Sequence, residues 1–193
     1  MGQYYLIANM DKREVLCLDG RFPGMKLLEI ACSKTDSNAV INQIAESWHG
    51  DTVYLIGDYA DLSDPNVTYF DELRRWTDKL HLTDSLYTYV SDNFTKVEGD
   101  PADKGYRFVY NHNEKVYIDL LHIPLSHDSR FNFDYYINPI PLLIAMGNGR
   151  GGGDYGSNNE HLAGSWCKSI TAVEITNEPK DDLGYEEFHP DFK

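Results

Sequence analysis

The spacing of apolar and polar positions divides the chain into short elements of two periods. Tyr4-Tyr5-Leu6-Ile7-Ala8 is a β-prone run, Asn9-Met10-Asp11-Lys12-Arg13 has turn chemistry, and Val15-Leu16-Cys17-Leu18 returns. That pattern predicts a β-hairpin from Gln3 to Leu18. Phe22-Pro23-Gly24 breaks the chain before a short apolar segment, Met25 to Ala31. From Ser37 the period changes: Val40, Ile41, Ile44, Ala45 and Trp48 fall on one helical face, with Thr35, Asp36 or Ser37 as the cap and Gly50 as the stop. Thr52 to Ile56 reads as a buried strand closed by Gly57-Asp58-Tyr59. A second helix is expected over Tyr69 to His81, burying Leu73, Trp76 and Leu80 and pairing Arg74 with Asp78. Leu86 to Val90 reads as a strand and Asn93 to Gly105 as a polar loop. A second hairpin follows, from Tyr106-Arg107-Phe108-Val109-Tyr110 through a turn at Asn111 to Lys115 into Val116 to Leu121.

The two hairpins match at Tyr4 and Tyr106, Ile7 and Val109, Asn9 and Asn111, and, after a gap of about one residue, Val15 and Val116. Each half also carries Ser-Trp before an apolar strand, at Ser47-Trp48 and Ser165-Trp166. The matches admit an internal duplication or two ordinary hairpins with like turn chemistry. The pattern predicts one α+β domain over 1–176, a mainly antiparallel twisted sheet built on the two hairpins with about two helices on one face. An acidic tail follows over 177–193, and its Tyr185, Phe188 and Phe192 give it means to dock.

Charge narrows the partners. The 193 residues hold 31 Asp and Glu against 17 Lys and Arg, a formal net charge of −14, which disfavours binding along a nucleic-acid backbone. Cys17, Cys32 and Cys167 are too few and too scattered for a disulfide framework or a zinc ribbon. With no basic start and apolar h-region, and with no apolar run beyond Ile140 to Met146, the expectation is a reduced, cytoplasmic protein without a membrane segment. Gly2 does not complete a myristoylation motif, because Leu6 stands where Ser or Thr is required.

One segment concentrates candidate chemistry. Gly147, Asn148, Gly149, Arg150, Gly151, Gly152, Gly153, Asp154, Tyr155 and Gly156 include six glycines in ten residues, following Ile140-Pro141-Leu142-Leu143-Ile144-Ala145-Met146. Backbone N–H groups freed of Cβ atoms can turn together and cradle an anion. Arg150 adds a fork of donors for phosphate or carboxylate. Asp154 suits a sugar hydroxyl or the orientation of Arg150, and Tyr155 suits stacking on a base. Gly147, Gly149 and Gly152 satisfy G-x-G-x-x-G, with Glu174 near the spacing of a ribose-binding acid. The residues after the glycines do not start a helix, however, so a dinucleotide fold is not the reading, and no Gly-Lys-Ser/Thr makes it a phosphate-binding P-loop. Asp58 and Tyr59 repeat the Gly-Asp-Tyr corner at a predicted strand end and join the candidate set, as does Trp166.

The opening Met-Gly-Gln-Tyr-Tyr, Gly-Asp-Tyr-Ala at 57–60, the glycine motif at 147–156 and Gly-Ser-Trp at 164–166 resemble a group of uncharacterised bacterial and phage proteins over most of the chain. That resemblance implies no catalytic residue and no cofactor; it implies a phage or mobile-element setting in a bacterial cell.

Weaker constellations have plainer readings. His81-Leu82-Thr83 and His127-Asp128-Ser129 have the triplet form of two-histidine phosphoesterases, but the first falls at a helix end. His112, His122 and His127 lack metal-ligand spacing, and Asp58, Asp61 and Asp64 fail the calcium-loop spacing. Phe131, Phe133, Tyr135 and Tyr136 read as a strand on the core before a stacking surface. The expectation is a binding protein, alone or as a homo-oligomer, for a small anionic nucleotide-like ligand, such as a phage-encoded sponge for a host immune signal. Two alternatives are a phosphodiesterase using His81 and His127, or His122 and Asp154, and an acidic inhibitor that blocks a basic site on a partner enzyme.

Overall fold

The computed structural model describes residues 3–18, 24–128, 132–147, 161–180 and 183–190. The first apolar run and its return form the expected hairpin, β1 (Tyr4–Asn9) and β2 (Glu14–Cys17), with Ile7 opposite Leu16 and Asn9 opposite Glu14. Asn9 locks the turn. Its fully buried side chain accepts from the N–H groups of Asp11 (3.0 Å) and Lys12 (2.9 Å) and donates to Asp51 at 2.7 Å. The turn's backbone donors are thereby satisfied without water.

Two residues at β3 (Met25–Lys26) pair with β1 before α1 (Leu27–Cys32) and α2 (Lys34–Ala45). Ser33, two positions before the first of the expected candidates Thr35, Asp36 and Ser37, caps α2 by accepting from Asp36 N–H; Asp36 and Ser37 are instead buried within the helix. β4 (Val53–Gly57) is buried along its whole length and pairs antiparallel with β1. α3 (Phe70–Lys79) follows, with Leu73 and Trp76 inward and the Arg74–Asp78 pair at 3.9 Å on its solvent side.

Two expectations fail next. Leu86 to Val90 is not a strand but the start of α4 (Leu86–Asn93), because Ser85 accepts from Thr88 N–H and caps it. The expected loop from Asn93 to Gly105 contains β5 (Thr95–Glu98), mostly exposed, which adds parallel to β2. Its polar residues hid it, since an edge strand need not be apolar.

The second hairpin, β6 (Phe108–Asn111) and β7 (Val116–Asp119), heads a second sheet. A ribbon of β8 (Ser126–Asp128) and β9 (Phe133–Tyr135) precedes α5 (Ile140–Leu143) and β10 (Ala145–Met146), which pairs parallel with β4. A 3₁₀ turn, Cys167–Ala172, leads into β11 (Val173–Thr176), antiparallel to β6. The tail contributes β12 (Glu186–Glu187), parallel to β7, and Phe188, whose ring lies 6.2 Å from that of Trp166. The acidic tail is thus built into the second sheet along its described residues.

The result is a single α+β domain rich in antiparallel pairing, with five α-helices and a 3₁₀ helix among the described residues where about two helices were expected. α2 packs against β11, so the inner faces of both sheets share one apolar core. Among the described residues no helix is long and apolar enough to cross a membrane.

One arrangement occurs twice. In the first sheet the order β4-β1-β2-β5 is antiparallel, antiparallel, parallel; β11-β6-β7-β12 repeats both order and direction. Hydrogen bonds repeat too. Met10 N–H donates to Thr52 O as His112 N–H does to Ala172 O, and Thr95 N–H donates to Arg13 O as Glu186 N–H does to Lys115 O. Arg13 and Lys115, each closing its turn, share φ 56°. Both turns are therefore the same length, and the one-residue gap expected between them does not exist: Val116 matches Glu14, not Val15. Asn111 repeats the lock, fully buried, accepting from Glu114 N–H and donating to Ser169 Oγ at 2.7 Å. Asn9→Ala and Asn111→Ala should each lower unfolding free energy by about 1–3 kcal/mol, since each leaves turn donors without an acceptor. Urea denaturation of the two variants and their double mutant measures this, with near-additive losses expected for separate turns.

Candidate functional site

The glycine-rich segment leaves the first sheet at a defined place. Asn138 sets it: its fully buried side chain donates to Ser37 Oγ at 2.7 Å and accepts from Ile140 N–H at 3.0 Å, fixing the start of α5 against α2. α5 runs directly into β10, where Ala145 stands opposite Leu55 and Met146 opposite Ile56. The next residues on the two parallel strands, Gly57 and Gly147, leave the sheet together, beside the start of β1 where Tyr5 faces Gly57. Ligands favour the carboxyl ends of parallel strands in open sheets because two loops diverge there. Here both ends carry glycine, Gly57 as the last residue of β4 and Gly147 as the residue after β10.

Gln3 explains why. It is 7% exposed and lies across both glycines. A Cβ on Gly57 would stand 2.4 Å from Gln3 Nε2, and one on Gly147 would stand 2.6 Å from both Gln3 Oε1 and Tyr5 Oη. Gln3 Oε1 accepts from the Tyr5 hydroxyl at 2.8 Å, whereas its Nε2 is buried with no hydrogen-bond partner among the described residues. A buried donor left without an acceptor costs about 1–3 kcal/mol. Nε2 sits against Gly57 and Oε1 against Gly147, so the amide spans the ends of β4 and β10.

Asp58 and Tyr59 follow Gly57. Asp58 Oδ1 accepts from Tyr4 N–H at 3.1 Å, while Tyr59 is 46% exposed and free to stack. Tyr87 lies close by; burial pushes its phenol up, and the Asp58 charge adds to that. The chain from Ala60 onward lines two cavities. One, of about 230 Å³, is walled by Asp64, Thr68, Tyr69, His161 and Ala163, at the point where the chain returns from the glycine segment. The other, of about 290 Å³, lies between Asp61, Leu62, Leu73 and Asp84. Carboxylates enter both linings, Asp64 in the first and Asp61 and Asp84 in the second, beside apolar and hydroxyl side chains.

Of the sequence-predicted residues, Gly147, Asp58 and Tyr59 are brought to this edge. Asn148, Gly149, Arg150, Gly151, Gly152, Gly153, Asp154 and Tyr155 lie outside the described residues. Trp166 does not belong to the edge. It is 5% exposed, its N–H donates to Leu143 O at 2.8 Å, and its ring meets Phe188, so it is a core residue. Gln3 was missed, because a single glutamine before a strand carries no motif and its role depends on the β4–β10 pairing.

The histidines are not gathered into one centre. His81 sits in the turn after α3 at φ 53°, and His127 is on β8, bonded to Asp134 at 2.7 Å. His112 and His122 meet Glu174 at 2.8 Å and Glu187 at 2.7 Å. Among the described residues no cluster of three or more His, Cys, Asp or Glu could hold a metal ion. Cys17 and Cys167 are buried, and burial raises the pKa of both; burial pushes the Cys32 thiol up to about 11. None of the three is an activated thiolate.

Compared with protein-family models, curated proteins and solved structures, the chain matches none.

The close approach of Gln3 to both glycines yields a coupling test. Gly147→Ala should destabilise the fold by about 1–3 kcal/mol through overpacking. In a Gln3→Ala background part of that loss should vanish, Tyr5 Oη still standing 2.6 Å from the added Cβ, giving an interaction energy above about 0.5 kcal/mol in a double-mutant cycle read by denaturant unfolding.

Proposed function

We propose that the chain is a binding protein for a small anionic nucleotide-like ligand, held at the edge where Gly57 and Gly147 leave the sheet. The observation that carries this reading is Gln3 Nε2, buried and without a hydrogen-bond partner among the described residues, on an amide that lies across the two glycines at the carboxyl ends of β4 and β10. A hydrogen-bond acceptor on the ligand would satisfy it. The cavity carboxylates of Asp61, Asp64 and Asp84 would serve the hydroxyls and amino hydrogens of the nucleoside, and Tyr59 would stack on its base. The phosphate would fall to the backbone amides of 148–153 and to Arg150, as the glycine spacing suggests. In the phage setting implied by the resemblance, tight binding without turnover would sequester a host signalling nucleotide.

Thermal melting with a panel of nucleotides, cyclic dinucleotides and ADP-ribose derivatives tests the reading. A ligand at 100 times its Kd should stabilise the fold by about 2.7 kcal/mol, a rise of a few degrees. That rise should be lost in Arg150→Ala, and chromatography should recover the ligand intact. Fragments in place of intact ligand would refute a sponge, and no rise with any compound would refute nucleotide binding.

A further inference from the structure

The repeated four-strand unit allows its two copies to be compared position by position. By register, Met10 matches His112, Arg13 matches Lys115, Tyr54 matches Glu174 and Phe94 matches Tyr185. In the first unit this corner is apolar and closed. Met10, Tyr54 and Phe94 are 4%, 0% and 7% exposed, and Trp76 and Lys79 of α3 line a small cavity of about 170 Å³ together with Met10 and Phe94. In the second unit only 177–185 separates β11 from β12 and no α-helix lies there among the described residues, so the corner stays open: the His112 and Glu174 side chains are 33% and 27% exposed.

At that open corner three side chains form a chain of short hydrogen bonds. Tyr185 Oη lies 2.6 Å from His112 Nδ1, and His112 Nε2 lies 2.8 Å from Glu174 Oε2. Burial pushes the Glu174 carboxyl up, but hydrogen bonds from Lys180 and His112 outweigh it and hold the group below its ordinary range. An ionised carboxylate only accepts, so the neutral imidazole carries its hydrogen on Nε2. Its Nδ1 is then an acceptor, and the Tyr185 hydroxyl donates to it. The phenol proton already points at a base whose tautomer is fixed by a third group, which is the arrangement of an activated nucleophile. The stacked Tyr110 ring and Lys180, whose Nζ lies 2.7 Å from Glu174 Oε2, hold His112 and Glu174 in place. Lys115 sets its ammonium 5.0 Å from the centre of the Tyr185 ring and makes no ion pair among the described residues.

We propose that Tyr185 is a nucleophile toward phosphate esters, with His112 as its general base, Glu174 as a positioning residue and Lys115 attracting the anionic ester. Tyr185 Oη attacks phosphorus and forms a new P–O bond while the bond to the leaving oxygen breaks. The phenol proton passes to Nδ1 of His112 and from there to the leaving oxygen, so a phosphodiester and the phenol become a tyrosyl phosphodiester and an alcohol. None of these residues belongs to the edge at Gly57 and Gly147, and the inference stands or falls apart from ligand binding there.

The test incubates the full chain with bis(4-nitrophenyl) phosphate and follows 4-nitrophenolate release, then maps the adduct by mass spectrometry. The expected result is a stoichiometric burst and an adduct on Tyr185, both absent in Tyr185→Phe. His112→Gln should slow the burst by about 10²–10⁴-fold. Glu174→Gln can keep a hydrogen bond to Nε2 while allowing the wrong tautomer, so it should slow the burst with the tail still docked, as protease resistance at 183–190 would show. No adduct in the wild type, an adduct spread over other tyrosines, or equal rates in wild type and Glu174→Gln would each overturn the proposal and leave the triad as a docking contact.

Discussion

The ladder between β1 and β4 is the constraint on which the rest of the molecule depends. Five consecutive pairs, from Tyr5 opposite Gly57 to Asn9 opposite Val53, run through strands buried on both faces. The helices α1 and α2 lie between β3 and β4 in the chain, so the pairing fixes where they return. β10 then adds to the free side of β4, and only that addition brings Gly147 next to Gly57 and both against Gln3. A slip of one residue would turn the inward side chains outward and part the two glycines at once.

The same four-strand unit carries two environments because its connections differ. Between β4 and β5 the chain spends two helices, α3 and α4, of which α4 packs on β1 and β4 and α3 packs on α4. Between β11 and β12 it spends a short stretch, and the corresponding face is finished with paired polar and aromatic groups. The stack of Tyr110 on His112 and the bidentate clamp of Arg107 on Asp119, at 2.6–3.0 Å, belong to that face. One backbone plan thus yields a closed apolar corner at Met10 and an open polar one at His112.

Much of this was legible in the residues. β-prone runs flanking turn chemistry located both hairpins, helical spacing located α2 and α3, and the Asn9 and Asn111 match pointed to the repeat that strand order makes plain. What failed has local causes. Residues 86–90 alternate no more clearly than they spiral, and the Ser85 cap decided in favour of helix. β5 is a polar edge strand, and β10 has only two residues, too few for any period to show. The candidate edge was half legible for the same reason: Gly57-Asp58-Tyr59 and Gly147 could be picked out singly, but Gln3 gains meaning only from long-range pairing. Trp166 misled because an aromatic near a glycine segment reads equally as a stacking platform or as core, and the contact with Phe188 that decides it crosses the tail.

The central claim is that the two glycine-led loops form one ligand edge. Hydrogen–deuterium exchange on the wild-type chain, with and without a mixture of cyclic dinucleotides and ADP-ribose, tests it most directly. The account predicts ligand-induced protection at 57–60 and 147–164 together, with the amides of β6, β7 and β11 unchanged. Protection confined to one of those loops, or to the second sheet, or absent throughout, would contradict it.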